Sequence, residues 1–159
     1  MKIGIVADSH DNLRAIEAAV NVFKERGAEV LIHAGDFVAP FAVKRFLALG
    51  VPMVAVFGNC DGEHRVIAEL LPDIVPGARR ETLGGRNFVV VHSLERLEES
   101  DRAGADVIVC GHTHQAGILG ESPLVINPGE CGGWVNGRAT AAWLDTETME
   151  PEILELGKP

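Results

Sequence analysis

The chain has 159 residues, a net charge of −9 at pH 7, an apolar share of 47% and a charged share of 23%. That length buries a core without disulfide help and suits one domain over residues 1–159, while nothing in the composition points to a disordered or fibrous chain. No run approaches the ~20 apolar residues of a membrane span. The acidic balance argues against long nucleic acid, whose binding needs clustered Lys and Arg.

In chain order, Lys2 to Ala7 predicts a buried strand ending in the polar turn Asp8-Ser9-His10-Asp11-Asn12. Asp8 arrives too early for the apolar core of a secretory signal, so a cytoplasmic protein is expected. Asn12 suits the cap of a helix carrying Leu13, Ile16, Val20 and Phe23 at helical spacing and stopping at Gly27. A second strand, Glu29 to Ala34, leads to Gly35-Asp36, and Pro40 opens a helix to Gly50. A third strand, Val51 to Phe57, ends at Gly58-Asn59-Cys60-Asp61, and a helix follows from Glu63 to Leu71. This alternation predicts a parallel sheet with helices on its faces. The remainder reads as strands at Asn87 to Val91, Asp106 to Cys110, Leu124 to Ile126, Ala139 to Leu144 and Glu152 to Leu156. A single helix, Leu94 to Ala103, interrupts them. A second sheet packed on the first is the expectation, and the exposed edge strands of a small two-sheet protein suit a homodimer.

Polar residues cluster where the apolar runs stop. Asp8, Asp36, Asn59, His92 and His112 each fall at the end of a predicted strand, the edge at which open α/β sheets bind ligands. Asp8 with His10, and His112 with His114, stand two residues apart and point the same way on extended chain. Two carboxylates, one amide and four imidazoles suit Mn, Fe, Co, Ni or Zn better than calcium, which prefers an all-oxygen shell. Seven such side chains exceed one ion's needs and match two, with room left for water. Asp61 either orients one of them from behind or caps the following helix.

These segments together resemble the ordered signatures of the calcineurin-like metallophosphoesterases: Asp8-x-His10, Gly35-Asp36, Gly58-Asn59-x-Asp61, a strand-terminal His92 and Gly111-His112-Thr113-His114. Asn127-Pro128-Gly129 is similar to a further signature of the small prokaryotic phosphodiesterase branch. The resemblance implies a four-layer αββα sandwich of two mixed sheets. It implies Asp8, His10 and His114 on one divalent metal ion, Asn59, His92 and His112 on a second, and Asp36 bridging. Manganese leads the expected cofactors, with Ni, Fe, Co or Zn as alternatives. The implied reaction is hydrolysis of a small phosphodiester by in-line attack of a metal-bridging hydroxide, with Asp36, Asn59, Asp61 and His92 at the catalytic centre. Alternatives are a catalytically silent scaffold of the same fold, a phosphomonoesterase or a nuclease. The chain departs from the family at Ser93-Leu94, where Gly-His commonly follows the strand-terminal His, and at Cys60, where distant members carry His.

Other residues receive plainer expectations. His33, inside an apolar strand, reads as structural. His64, at a helix start, reads as a surface residue, with leaving-group protonation as the sharper alternative. Cys60, Cys110 and Cys131 read as reduced thiols, and Cys60 lacks the triad that would make it a nucleophile. The pairs Lys44-Arg45 and Arg79-Arg80 read as solvated faces. Trp134 and Trp143 are expected in the core or an interface, with Gly132-Gly133 giving Trp134 a loop near the site.

Overall fold

A computed structural model describes residues 1–157; Lys158 and Pro159, the end of the expected domain, lie outside the described residues. The first sheet contains β1 (Lys2–Val6), β2 (Val30–His33), β3 (Met53–Phe57), β4 (Val75–Pro76), β10 (Ala139–Asp145) and β11 (Glu150–Gly157), in the order β11-β10-β1-β2-β3-β4. The second contains β5 (Arg79–Leu83), β6 (Arg86–Val90), β7 (Val107–Val109), β8 (Gly117–Leu119) and β9 (Leu124–Asn127), in the order β5-β6-β7-β9-β8. Strands β1, β2 and β3 run parallel, as do β6, β7 and β9, so each sheet presents one edge of aligned carboxyl ends.

Alternation along the strands builds the layers. Ile3, Ile5, Ile32, Val54 and Val56 face inward and meet Phe88, Val90, Val107, Val109 and Ile126 of the other sheet. The intervening Val6, Leu31 and Ala55 face outward onto α1 (Leu13–Arg26), α2 (Pro40–Leu47) and α3 (His64–Leu70), through Ile16, Phe23, Val43, Phe46 and Ile67. Helix α1 begins where Asn12 Oδ1 accepts the Ala15 N–H at 3.3 Å, and it ends at Gly27 in the left-handed conformation.

The four-layer αββα sandwich is present, with a thin fourth layer. The helix expected over Leu94 to Ala103 is instead a 3₁₀ turn, Leu94–Arg96, and α4, Glu99–Arg102. Leu97 and Glu98 between them are extended. The Glu98 and Asp101 capping box starts a new turn there, while Leu97 drops into a cluster with Val89, Val91, Ile108 and Cys110. Strands β4, β5 and β8 were not expected. Arg79 and Arg80 belong to β5, where Arg79 pairs with Glu81 at 2.9 Å and Arg80 donates to the carbonyls of Ser100, Asp101 and Ala103. Arg80 thus ties the second sheet to α4.

Candidate metal centre

Each expected ligand sits on a turn just past a strand: Asp8 and His10 after β1, Asp36 after β2, Asn59 after β3, His92 after β6, and His112 and His114 after β7. Asp8, His10, Asp36, His112 and His114 all have positive φ, between 41° and 70°. Non-glycine residues seldom hold that conformation, and its accumulation in one place marks strain kept for a site. Glycines admit the close approach. A Cβ on Gly58 would lie 2.0 Å from Asp36 Oδ1, and one on Gly111 would lie 2.7 Å from Asp8 Oδ2. The Gly that precedes Asn59 and the Gly that precedes His112 therefore have a steric origin.

The seven side chains converge in two groups. In the first, His114 Nε2 lies 3.5 Å from Asp8 Oδ1 and 3.3 Å from His10 Nε2. In the second, Asn59 Oδ1 lies 2.9 Å from both His92 Nε2 and His112 Nδ1. Asp36 Oδ2 stands between them, 3.8 Å from His10 Nε2 and 3.5 Å from His92 Nε2. Donors about 2.1 Å from a central ion stand roughly 3.0–3.4 Å from one another in tetrahedral or octahedral arrangements, so these spacings fit coordination.

Lone pairs facing lone pairs make the same point. His92 Nδ1 is 2.8 Å from the Ala34 carbonyl, so that nitrogen carries the proton, and burial holds the imidazole below its ordinary pKa. Its Nε2 is then a bare acceptor directed at the Asn59 oxygen, a contact that a cation between them makes favourable. Asp8 Oδ1 is buried without a hydrogen-bond partner. Burial first, and the Asp36 carboxylate second, push the Asp8 carboxyl up to about 8. Among the described residues, no Lys or Arg lies within 4.0 Å of Asp8 or Asp36; the side-chain nitrogens within that distance belong to His10, His92 and His114.

A second ring of contacts fixes the first. Asp61 caps no helix. Its carboxylate accepts the N–H groups of Asp36, Val38 and Gly58 at 3.1, 2.9 and 2.7 Å, locking two ligand-bearing turns together. Asn127 Nδ2 donates to the Gly111 carbonyl at 3.1 Å and to Thr113 Oγ1 at 3.0 Å, which shapes the turn bearing His112 and His114. His33 is structural as expected: it stacks on Phe37 at 3.5 Å, accepts the Gly35 N–H and meets Ser9 Oγ at 3.0 Å.

Residues outside the two groups have other occupations. His64 Nε2 donates to the Asp61 carbonyl at 3.0 Å and its ring stacks on Phe57. Cys60 is exposed, and desolvation together with the charge of Asp36 raises its thiol to about 11, unlike a nucleophile. Cys110 and Cys131 are buried free thiols. Arg45 pairs with Glu17 on the surface. Trp143 is half-buried beside Phe23, whereas Trp134 is 61% exposed and outside the core, its indole N–H donating to the His10 carbonyl at 3.0 Å. Sequence reasoning passed over Glu130, which is buried behind His114. Its one signal was a lone acid between Asn127-Pro128-Gly129 and Gly132-Gly133.

Two clefts flank the rim. One, of about 520 Å³, is lined by His114, Asn136, Arg138 and Thr140; the other, of about 350 Å³, by His112, Ser93, Leu94, Leu119 and Val125.

A two-sheet sandwich whose rim gathers carboxylates and imidazoles around unpartnered lone pairs defines a metal-dependent hydrolase class. The chain belongs to the calcineurin-like phosphoesterase superfamily, whose domain profile matches residues 1–149. It is 38% identical to a phosphodiesterase of Methanocaldococcus jannaschii over 160 aligned positions, covering 94% of this chain and 96% of that one. The structure of an archaeal phosphodiesterase superposes with a TM-score of 0.86 at 32% identity, covering 98% of this chain and 99% of the other. Vps29 of Chaetomium thermophilum shares the fold, with a TM-score of 0.69 at 14% identity and 99% coverage of both chains. No helix among the described residues is long and apolar enough to cross a membrane.

Proposed function

We propose that this chain is a phosphodiesterase of small substrates that works with two divalent ions, manganese foremost, in one domain. The observation that carries the reading is the meeting of Asp8 Oδ1, which has no partner, with the inward lone pairs of the rim histidines and Asn59 around Asp36. Asp8, His10 and His114 would hold one ion, and Asn59, His92 and His112 the other. Asp36 suits both, because its Oδ1 is engaged by the Cys60 N–H at 2.8 Å while Oδ2 faces the two groups.

When bound, such ions polarise phosphoryl oxygens and lower the pKa of water, which supplies a nucleophile near neutral pH. The chain's own part is positional. Ala34 keeps the proton of His92 on Nδ1, Asp61 fixes the turns of Asp36 and Asn59, and the clefts beside His114 and His112 give the two ester arms of a diester separate room. The related phosphodiesterase of M. jannaschii supports the diester class, and the net charge of −9 favours a small substrate over a polyanion. Competent ligands at all seven positions favour an enzyme over a scaffold.

The test pairs manganese titration with release of nitrophenol from bis(4-nitrophenyl) phosphate and from 4-nitrophenyl phosphate, in wild type and Asp36→Ala. Two equivalents bound, with metal-dependent diester hydrolysis lost in the variant, is the expected result. A chain that binds two equivalents and cleaves neither ester is a scaffold; one faster on the monoester is a phosphomonoesterase.

A further inference from the structure

The Glu130 carboxylate is fully buried, carries no Lys or Arg partner among the described residues, and lies outside the two ligand groups. Its Oε1 accepts the N–H groups of Trp134 and Val135 at 2.8 and 3.1 Å, and its Oε2 those of Val135 and Asn136 at 3.0 and 3.3 Å. Ion-to-amide bonds of this kind hold a carboxylate in place without neutralising it. On its other side, Oε2 stands 3.4 Å from His114 Nδ1. That nitrogen is buried and forms no hydrogen bond as it stands, and Glu130 is the carboxylate within 4.0 Å of it among the described residues. The opposite nitrogen of the same ring, Nε2, faces Asp8 and His10.

An imidazole between a fixed anion and a metal position is driven to one tautomer, with its proton toward the anion and its lone pair toward the ion. The segment that fixes Glu130 also reaches the same ligand group twice more. Trp134 Nε1 donates to the His10 carbonyl at 3.0 Å, and Asn136 Nδ2 donates to the His114 carbonyl at 2.9 Å.

We propose that Glu130 is the positioning residue of the Asp8/His10/His114 group, setting the His114 tautomer and the affinity of that group for its ion, with the 134–136 turn as its anchor. The inference rests on the two-ion reading above. It makes the two groups unequal: among the described residues no carboxylate other than the ligand Asp36 lies within 4.0 Å of a ring nitrogen of His92 or His112, and His92 Nδ1 is served by a neutral carbonyl. Removing the charge therefore weakens one ion and spares the other.

Calorimetric titration of the metal-free full chain with manganese alone, in wild type, Glu130→Gln and Trp134→Phe, tests it. Glu130→Gln keeps the shape and an amide oxygen for the turn. We expect one of two sites to weaken about 10–100-fold, as loss of such a partner does elsewhere, with the second unchanged. Trp134→Phe cuts the turn's bond to the His10 carbonyl while leaving Glu130 and its amide donors in place, and is expected to leave both sites close to wild type. Equal loss in both variants would assign the effect to turn order and overturn the inference, as would Glu130→Gln binding like wild type. A wild type that binds no manganese overturns the two-ion reading itself, a distinct result. Nitrogen-15 correlation of the histidine rings in metal-free wild type, at about pH 8.5 where an ordinary imidazole is neutral, needs no variant to fold. His114 protonated on Nδ1 supports the assignment, and protonation on Nε2 alone refutes it.

Discussion

Stripping the divalent ions should reverse the usual pH dependence of stability, and Asp8 sets the size of the effect. In the metal-free protein its carboxyl is raised from 3.8 to about 8 by burial and by Asp36. The folded state therefore binds a proton that the unfolded chain has already released across the interval between those values. Stability contributed by the protonated carboxyl is present in the acid range and is lost as pH rises toward 8. Buried His33 and His92, both held below the ordinary imidazole value, act in the opposite direction, but only below about pH 6.5. Between that point and about pH 8 Asp8 dominates; above it the three thiols, raised in the folded chain, add a decline of their own. Integrating the Asp8 linkage from about pH 6.5 to about pH 8 gives a loss of about 1.7 kcal/mol, or about 3–7 °C in Tm for a domain of this size. Thermal melts of chelator-treated protein read this directly. Saturating manganese should abolish the decline, and Asp8→Asn should abolish it without metal. A decline of the same size in Asp8→Asn, or stability that climbs across the interval, would refute the burial argument.

Other outcomes follow from contacts around the rim. Gly58→Ala places a methyl against Asp36 Oδ1 and within 2.5 Å of the Asp36 backbone nitrogen, so diester hydrolysis should fall by roughly 100-fold, the scale of about 1 Å of misplacement. Asp61→Ala leaves the N–H groups of Asp36, Val38 and Gly58 without their acceptor; urea unfolding should show a loss of roughly 2–5 kcal/mol. His64→Ala and Cys60→Ala should leave the pH profile of kcat unchanged, because His64 is committed to the Asp61 carbonyl and the Cys60 thiol lies near 11. A missing limb in either profile would assign that residue to leaving-group protonation.

The strands that place the site were legible because they are apolar runs ending in polar turns. Lys2 to Ala7 and Val51 to Phe57 carry their own signal, and so do Asp8 and Asn59 just beyond them. What escaped lacks such contrast. Strand β5 reads Arg-Arg-Glu-Thr-Leu and is held by pairing with β6, not by its own apolar content. Strand β8 has only Gly117, Ile118 and Leu119. The Leu94 to Ala103 segment has enough helix formers for one helix, and local caps with the burial of Leu97 divide it. Among the candidate ligands, the seven just past strand ends follow from position and chemistry. Glu130 does not, because its importance lies in a turn that folds back over it and in a histidine sixteen positions earlier.

The rim draws on both sheets in each of its halves. Asp8 and His10 follow a strand of one sheet while His114 follows a strand of the other, and Asn59 is likewise matched with His92 and His112. Neither sheet can assemble either cluster unaided. An ion taken up there acts as a rivet through two plates, so cation capture reports that the halves of the chain have docked, and chelation should loosen the seam between them before either plate frays.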